Sequence, residues 1–398
     1  MRDPAGSFGH ALLDTWQLEP GVVYLNHAAF GATPRPVAEA AETWRKQAAA
    51  NPTAFFERTL GPALRASAET LGGFLGSAGE DIVFVDNVTA GINAVLRSLV
   101  VMPGDEIVAT NHLYMAARRT LDFVCERAGG RLVLADLPYP ARGEQDLMAA
   151  ILGSLSPRTR LVMLDHVTHE TALAIPIEAI AARCAERGIP VMIDGTHGPG
   201  NVPVDLDGLG EAGVGWYAGS CHTWLGTPPG CGFLWTHPDR QALVRPTAIS
   251  TRFGEGYTEA FDWPGPKDFS PWLAIGDALA MRKDYGDDIV RAHTHGLARE
   301  AAQMLSDRWG TPAGAPPSMT TAMVAVALPV ETPATVSAAH TLRQALQQDY
   351  KIEVQVSPFN GRLWARISAY LYNEIGDYEK LAEAVPAVLR SDPLAANA

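Results

Sequence analysis

The stretch RLVMLDHVTHETALAIPIEAIAARCAERGIPVMIDGT (160–196) decides the class of fold. Apolar runs at 160–167 and 190–196 have the length of buried strands, and between them residues 177–188 repeat apolar side chains at helical spacing. A strand, a helix and a second strand in this order form a βαβ unit, in which the two strands are parallel. Ligands of parallel sheets bind at the carboxyl ends of the strands, so the polar residues that follow these runs are candidates for a functional site.

The same alternation of apolar runs and amphipathic stretches continues on both sides of this unit. It predicts an α/β fold in which a mostly parallel seven-stranded sheet lies between helices. The further predicted strands are IVFVDN (82–87), EIVAT (106–110), RLVLADL (131–137), GWYAGSC (215–221) and GFLWT (232–236).

The pattern changes after a Gly/Pro-rich stretch at 253–271. A helix near 272–285, an apolar run at 322–330 and a helix near 336–348 predict a smaller α+β domain in the C-terminal part. The predicted organisation is an N-terminal arm and helix (1–50) that pack with the small domain or a dimer partner, a large cofactor-type domain (51–265), and a linker helix with the small domain (266–398).

Composition restricts the class of protein further. The 398 residues carry 31 Lys and Arg against 44 Asp and Glu, a formal net charge of −13, which argues against binding to nucleic acid or to acidic membranes. The 4 cysteines show no ligand spacing, and no short pair of ligand residues predicts a metal site. The N-terminus has no apolar leader and the chain has no long apolar run, so we expect a soluble, cytoplasmic protein.

Polar residues stand where the predicted strands end. Asp194 closes an apolar strand, where a carboxylate is costly to bury without a partner, although capping of the backbone is an equal alternative. Thr89 opens the helix after 82–87, where its hydroxyl and the helix N–H groups can hold a phosphate, or where it simply caps the helix. Five histidines stand at or just past strand ends and predict a polar pocket: His112, His166, His169, His197 and His222.

Seven segments together resemble the isopenicillin N epimerase-like branch of the class V aminotransferase and cysteine desulfurase family. Members of this family are pyridoxal-phosphate enzymes of fold type I. Their motifs occur here in the same order over nearly the whole chain, which is more specific than any single motif. The segments are YLNHAAFGATPRPV (24–37), FVDNVTAGINAVLRSL (84–99), PGDEIVATNHLY (103–114), LDHVTHETALAIPI (164–177), MIDGTHGPGNVPVDLDGLG (192–210), GSCHTWLGTPPGCGFLW (219–235) and RISAYLYN (366–373).

The resemblance implies a pyridoxal-phosphate pocket. Asp194 would pair with the pyridine nitrogen, His112 would stack on the ring, and His197 with the 168–169 segment would lie near the 3-oxygen. The phosphate would be held by Thr89, the backbone at Ala90, Ser220 and His222.

The substrate side of the pocket follows from the same resemblance. Arg366 would grip the carboxylate of a small amino-acid-like substrate, a task that suits a planar guanidinium, although an interdomain salt bridge is the alternative. Asn26 and His27 would also contact the substrate. The family implies a homodimer with the active site at the subunit interface.

One departure affects the centre of this pocket. The family motif at 219–225 carries the lysine that forms the Schiff base with the cofactor, and here Thr223 takes that position. The lysines are Lys46, Lys267, Lys283, Lys351 and Lys380, so residues 47–266 contain none. A threonine hydroxyl cannot form an imine and is a poor proton shuttle. Pro266 also replaces a family threonine that reaches the neighbouring subunit's phosphate, and Lys267 beside it is a candidate for that contact or for the aldehyde.

Four interpretations remain open at this stage. The first is an enzyme that holds pyridoxal phosphate noncovalently or as an external aldimine and transfers protons through His222, His169 or His197 in an epimerisation, transamination, decarboxylation or elimination. The second is an engineered replacement of the lysine by Thr223 in an ordinary enzyme of this branch. The third is an enzyme that has lost the cofactor and performs a cyclisation, dehydration or hydrolysis. The fourth is a non-catalytic binding subunit.

Overall fold

The computed structural model describes residues 8–330 and 334–391. The strands in these ranges are β1 (Val23–Tyr24), β2 (Ile82–Val85), β3 (Glu106–Thr110), β4 (Arg131–Ala135), β5 (Thr159–Asp165), β6 (Val191–Gly195), β7 (Val214–Ser220), β8 (Gly232–Thr236), β9 (Met323–Ala327), β10 (Ile352–Glu353), β11 (Gln355–Phe359) and β12 (Arg362–Ser368).

The α-helices follow in the same chain order, and a π-helical turn, Phe55–Thr59, joins the third helix to the fourth. They are α1 (His27–Phe30), α2 (Arg35–Ala50), α3 (Pro52–Ala54), α4 (Leu60–Leu75), α5 (Val88–Ser98), α6 (Met115–Ala128), α7 (Glu144–Gly153), α8 (Ile177–Ala185), α9 (Leu206–Glu211), α10 (Tyr257–Asp262), α11 (Ser270–Leu273), α12 (Ile275–Tyr285), α13 (Asp287–Trp309), α14 (Val336–Tyr350) and α15 (Ile375–Arg390).

The larger part of the molecule contains the predicted seven-stranded sheet, in the order β2-β8-β7-β6-β5-β3-β4. The opening stretch folds as β5, α8 and β6, and β5 pairs with β6 in parallel. Strand β8 runs antiparallel to β2 and β7 on either side of it, and the other six strands run in one direction, so the mostly parallel α/β arrangement is confirmed. Nearly every residue of β5, β6 and β7 is buried, because helices cover both faces of the sheet.

The C-terminal part contains a three-stranded antiparallel sheet in the order β11-β12-β9. Helices α13, α14 and α15 pack against it around a second apolar core. The sequence pattern did not predict α13, because three of its eight buried residues are alanines, Ala298, Ala301 and Ala302, and many charged residues surround them. Alanine buries little apolar area, so the helical period is weak in the sequence.

The N-terminal arm joins the C-terminal part. Strand β1 pairs in parallel with β10, more than three hundred residues later in the chain. Helix α2 packs through Val37 and Ala41 against Ala274 and Ala278. The three-part division of the chain stays a prediction. Within the described ranges, every helix is too short or too polar to cross a membrane.

A buried guanidinium, that of Arg282, connects α12 to two loops at the carboxyl edge of the large sheet. It donates to the carbonyl oxygens of Gly200 at 2.6 Å and Trp224 at 3.3 Å, and Nε contacts the carboxylate of Asp287. Burial lowers the pKa of this group, but the three acceptors hold it in place. The loops that these carbonyls belong to lead directly into the candidate site.

We expect Arg282→Met to lower the free energy of unfolding by about 2–4 kcal/mol, because two buried carbonyl oxygens lose their donor. Arg308→Met is the matched control, since Arg308 is 41% exposed and its partner Glu379 49%. An exposed pair of this kind contributes about 0–1 kcal/mol. Urea unfolding of both variants measures the difference, and equal losses would contradict the connecting role of Arg282.

Candidate active site

Two carboxyl groups lie side by side where β5 and β6 end. Asp165 and Asp194 are partners in the parallel register, and both are buried. Asp194 Oδ1 accepts from the N–H of Thr196 at 3.0 Å and from its hydroxyl at 2.6 Å, which leaves Oδ2 for another partner. Burial raises the pKa of Asp194, and burial together with Asp194 raises the pKa of Asp165 well above its usual range. A cationic donor at Asp194 Oδ2 would offset the cost of burying its charge.

His169 and His197 form a hydrogen-bonded pair whose protons are positioned by an indole. The Nε1–H of Trp224 donates to His197 Nδ1 at 3.3 Å, so the proton of neutral His197 is on Nε2. His197 Nε2 then donates to His169 Nδ1 at 3.1 Å, which places the remaining proton of His169 on its Nε2. Burial and then Arg366 lower the pKa of His169 to about 4, and burial lowers that of His197 well below its usual value. Both rings are therefore neutral near pH 7, and His169 presents an N–H group.

His222 carries its proton on the other ring nitrogen, Nδ1. Its Nδ1 lies 3.2 Å from the carbonyl oxygen of Cys231 and 3.2 Å from the hydroxyl of Ser220. A carbonyl only accepts, so Nδ1 carries the proton and Nε2 keeps a lone pair. Burial lowers the pKa of His222, which favours this neutral form. The hydroxyl of Thr223 is buried and pairs with that of Ser220 at 2.9 Å.

The start of α5 lies beside this group. Gly232 allows the contact, because a Cβ there would come within 2.8 Å of the Asn87 Cα. Asn87 caps the helix by accepting from the Ala90 N–H at 3.0 Å, so the predicted phosphate donor at Ala90 is already engaged. Thr89 lies in the first turn, and no hydrogen bond of its hydroxyl occurs among the described residues. A phosphate here would meet the hydroxyls of Thr89 and Ser220 and the positive end of the helix.

Lys267 reaches the same edge from the 263–271 loop. Its ammonium group pairs with the carboxylate of Asp86 and lies 4.1 Å from the centre of the Trp272 ring. Burial lowers its pKa. The lysine therefore contacts the strand that precedes α5 in its own chain, rather than the carboxyl ends of β6 and β7. Its predicted contact with a partner subunit stays a prediction.

His112 is enclosed between aromatic rings. Its Nδ1 pairs with the Thr171 hydroxyl at 2.6 Å, and its ring centre lies 4.4 Å from that of Phe359 and 5.4 Å from that of Tyr139. Burial lowers its pKa to about 4. Its Nε2 is buried, and no side chain or backbone group of the described residues lies at full hydrogen-bond geometry to it, although the backbone of Leu137 contributes to its pKa. The predicted stacking on a cofactor ring stays a prediction.

Arg366 is a buried cation at the end of a cavity of about 450 Å³. It donates to the carbonyl oxygen of His169 and, at 3.4 Å, to Asn26 Oδ1, while its buried Nε has no partner in the part of the chain that the structure describes. Burial lowers the pKa of Arg366 to about 10, so the group stays charged at neutral pH. Among the described residues it forms no salt bridge of its own, in contrast to the interdomain salt bridge considered as the alternative. A carboxylate ligand would satisfy this group.

His27, predicted to bind substrate, faces the protein interior. Its Nδ1 pairs with the hydroxyl of Tyr372 at 2.8 Å, and its ring stacks on that of Tyr370 at 3.6 Å. Burial lowers its pKa to about 3. Its contacts are those of a packing residue, and Asn26 beside it is the residue of this pair that lines the cavity.

The structure thus groups most of the predicted site residues but separates one strand-end histidine. His166 pairs with the hydroxyl of Tyr217 at 2.9 Å and lines a different cavity. Two residues of this group, Asp165 and Tyr114, were not identified as site residues from the sequence. Asp165 ends a strand as Asp194 does, which was a usable signal. Tyr114 lies 4.6 Å from the His169 ring, and only its place two residues after His112 hinted at it.

The fold is that of fold-type I pyridoxal-phosphate enzymes. A solved lysine-to-alanine variant of the lyase C-DES, with glycine covalently linked to its pyridoxal-phosphate cofactor, has a TM-score of 0.78 with this chain at 20% sequence identity. The match covers 92% of this chain and 96% of that one. At such identity the likeness shows the fold alone.

The chain belongs to the class V aminotransferase family, because the family model Aminotransferase class-V matches residues 23–381. It is 32% identical to isopenicillin N epimerase of Amycolatopsis lactamdurans, over 92% of this chain and 95% of that protein. It is 28% identical to putative L-cysteine desulfhydrase 1 of Oryza sativa subsp. japonica, over 92% of this chain and 83% of that protein. The family resemblance found in the sequence is confirmed.

We expect Trp224→Phe to release the protons of the histidine pair, because phenylalanine keeps the ring but has no N–H for His197 Nδ1. The ¹⁵N chemical shifts of the histidine ring nitrogens measure this. In the unaltered protein His197 Nδ1 should show the shift of an unprotonated nitrogen, and in the variant it should move toward that of a tautomer mixture. Trp235→Phe is the control, since that indole donates to Ser77 instead. An unchanged His197 shift would refute the ordering.

Proposed function

We propose that the chain is a pyridoxal-phosphate enzyme that acts on an amino-acid-like substrate with a carboxylate, and that it works without a Schiff-base lysine. The observation that supports this most is a pair of buried, incompletely satisfied charges. Within the described ranges the hydrogen bonds of Asp194 are to Oδ1, which would leave Oδ2 for a protonated ring nitrogen, and the buried Nε of Arg366 has no partner and would suit a carboxylate. Two such groups are costly to bury unless ligands complete them.

The donors and acceptors in the pocket suit this cofactor. Asp194 would hold the ring nitrogen, Thr89 and Ser220 would hold the phosphate, and the His169 N–H would suit an anionic ring oxygen. When bound, pyridoxal phosphate supplies an electron sink for the carbon beside the substrate carboxylate. The C-DES lysine-to-alanine variant holds its cofactor with glycine, not the protein, covalently linked to it, which supports binding of the cofactor on this fold without a covalent bond to a lysine.

His222 is the group we assign to proton transfer. Of the three candidate histidines it alone has a ring nitrogen with a free lone pair, because His169 presents an N–H and His197 is bonded at both nitrogens. It also directly precedes Thr223, where the family places its lysine. The relatives are named as an epimerase and a desulfhydrase. Epimerisation and elimination both require removal of a proton from the carbon that carries the amino group.

His222 cannot both accept a proton and hold a phosphate. A phosphate dianion offers only acceptors, so it would need a proton on Nε2 and would raise the pKa of the imidazole. We therefore assign the phosphate to Thr89 and Ser220 and keep His222 as the base.

A cofactor-independent enzyme on the same fold is the second candidate. The paired carboxyl groups of Asp165 and Asp194 favour it, because burial and mutual repulsion let such a pair share one proton and act as acid and base. Homodimerisation and a cytoplasmic location remain predictions from the family and the sequence.

We expect Thr223→Lys to become covalently linked to added pyridoxal phosphate, because an amine then replaces the hydroxyl beside Ser220. The mass of the protein after borohydride reduction measures the link. The unaltered protein should bind the cofactor, seen by equilibrium dialysis, but release it on denaturation. Thr70→Lys, at an exposed helical position, controls for unspecific labelling. If neither the unaltered protein nor a folded Thr223→Lys variant takes up cofactor at millimolar concentration, the proposed function is wrong.

We expect His222→Asn to keep cofactor affinity and to lose proton transfer. The asparagine amide can still donate to the Cys231 carbonyl but has no basic nitrogen. Exchange of the substrate α-proton with deuterated solvent measures the transfer, and a loss of about 10²-fold or more is the usual scale for removing a general base. His237→Asn, just after β8 and outside the cavity lining, is the control, because asparagine can still accept from the Asp239 N–H. Unchanged exchange in His222→Asn would assign the base elsewhere.

A further inference from the structure

The cavity at Arg366 extends along one face of α14. His340, Arg343, Gln344 and Gln347 line it, and their spacing of three and four residues places them on one side of the helix. The opposite side carries Ala339, Leu342 and Leu346, which are buried in the core. The wall that faces the cavity is therefore polar along two turns of the helix. None of these side chains takes part in the function proposed above.

Arg343 is a second guanidinium group with unused donors. Its NH1 donates to Gln355 Oε1 at 3.1 Å, while its buried Nε has no hydrogen-bond partner among residues 8–330 and 334–391. The described ranges contain 18 residue pairs that form salt bridges, and Arg343 belongs to none of these pairs. A guanidinium that lines a cavity with a free Nε–H suits a carboxylate, which accepts two parallel hydrogen bonds.

Arg343 and Arg366 are held in one arrangement by the strand between them. Gln355, which accepts from Arg343, lies directly opposite Arg366 in the β11–β12 ladder. Its amide also donates to the Ser357 hydroxyl at 3.0 Å, and Ser357 in turn donates to Glu170. Glu170 is thereby engaged beside Arg366. The cavity lining also contains one acidic side chain, Glu353. Binding of an acidic ligand would therefore depend on the positions of the two guanidinium groups rather than on a net positive charge of the cavity.

We propose that Arg343 binds a second carboxylate of the substrate, and that the natural substrate is an amino acid with an acidic side chain or an acidic terminal group. Arg366 takes the carboxylate next to the amino group, and the chain of the substrate lies along the α14 wall toward Arg343. The orientation rests on the proposed function, but the pairing of two carboxylates with two guanidinium groups does not.

Binding of simple acids to the full chain without added cofactor tests this. The probes are succinate, glutarate and adipate, each compared with the monocarboxylate of equal length, butyrate, valerate or hexanoate, by isothermal titration calorimetry. At least one dicarboxylate should bind about tenfold more tightly than its monocarboxylate. A tenfold difference in affinity corresponds to a small free energy, which one added charge-assisted hydrogen bond can supply. No preference in the unaltered protein overturns the proposal.

Variants assign the preference to its residue. Arg343→Gln should abolish the dicarboxylate preference and leave monocarboxylate affinity unchanged, whereas Arg366→Gln should weaken both classes. Arg97→Gln, at an exposed position on α5, is the control and should change neither. Arg343→Lys keeps the charge and should retain part of the preference, which a purely structural role would not predict. Equal weakening of both acid classes by Arg343→Gln overturns the proposal.

The preference for dicarboxylates is measured without cofactor, so its result is independent of cofactor binding. A preference for dicarboxylates together with failure of the Thr223→Lys labelling would leave the acidic-substrate site in place and remove the cofactor from it. The reverse result would keep the cofactor and remove the second carboxylate.

Discussion

The parallel pairing of β5 with β6 is the constraint on which the site depends. It places Asp165 and Asp194 at the same level of the sheet and buries both, so their charges can be kept only with help from neighbouring groups. Thr196 supplies two donors to one oxygen of Asp194, and the other oxygen is left for a ligand. The opposite charge of the pocket, Arg366, is buried just as deeply and is also incompletely paired. The pocket thus contains a buried acidic group and a buried basic group, which is the basis for the ligand with a cationic donor and an anionic group proposed above.

Histidines divide the chemistry of this pocket according to what they contact. An indole N–H and a backbone carbonyl require opposite tautomers, so Nε2 carries a proton in His169 and keeps a lone pair in His222. Three rings that look equivalent in the sequence therefore have separate uses. The lysine of the family would combine covalent attachment and proton transfer in one side chain, and in the function proposed above His222 takes the second task in place of Thr223.

The sequence predicted the large sheet well because apolar runs in buried parallel strands are continuous and their ends are marked by polar residues. The strand ends at Asp194 and Ser220 were found in this way. Tautomers could not be predicted, since they depend on Trp224 and Cys231, which become neighbours only through folding. The burial of His27 was missed for a similar reason, because its partners Tyr370 and Tyr372 lie far along the chain. Helix α13 was missed because alanine marks a buried face weakly.

The pairing of β1 with β10 affects how the protein folds during its synthesis on the ribosome. Residue Val23 leaves the ribosome early, but its partner Ile352 is made when nearly the whole chain has been synthesised. Until then the edge of β1 is unpaired, and Asn26 just after it cannot meet Arg366. Contacts between such distant parts of a chain form slowly and late. The end of the candidate pocket that contains Arg366 is therefore completed after the rest of the pocket, and a nascent chain that stops before β10 contains the candidate cofactor-binding residues without Arg366.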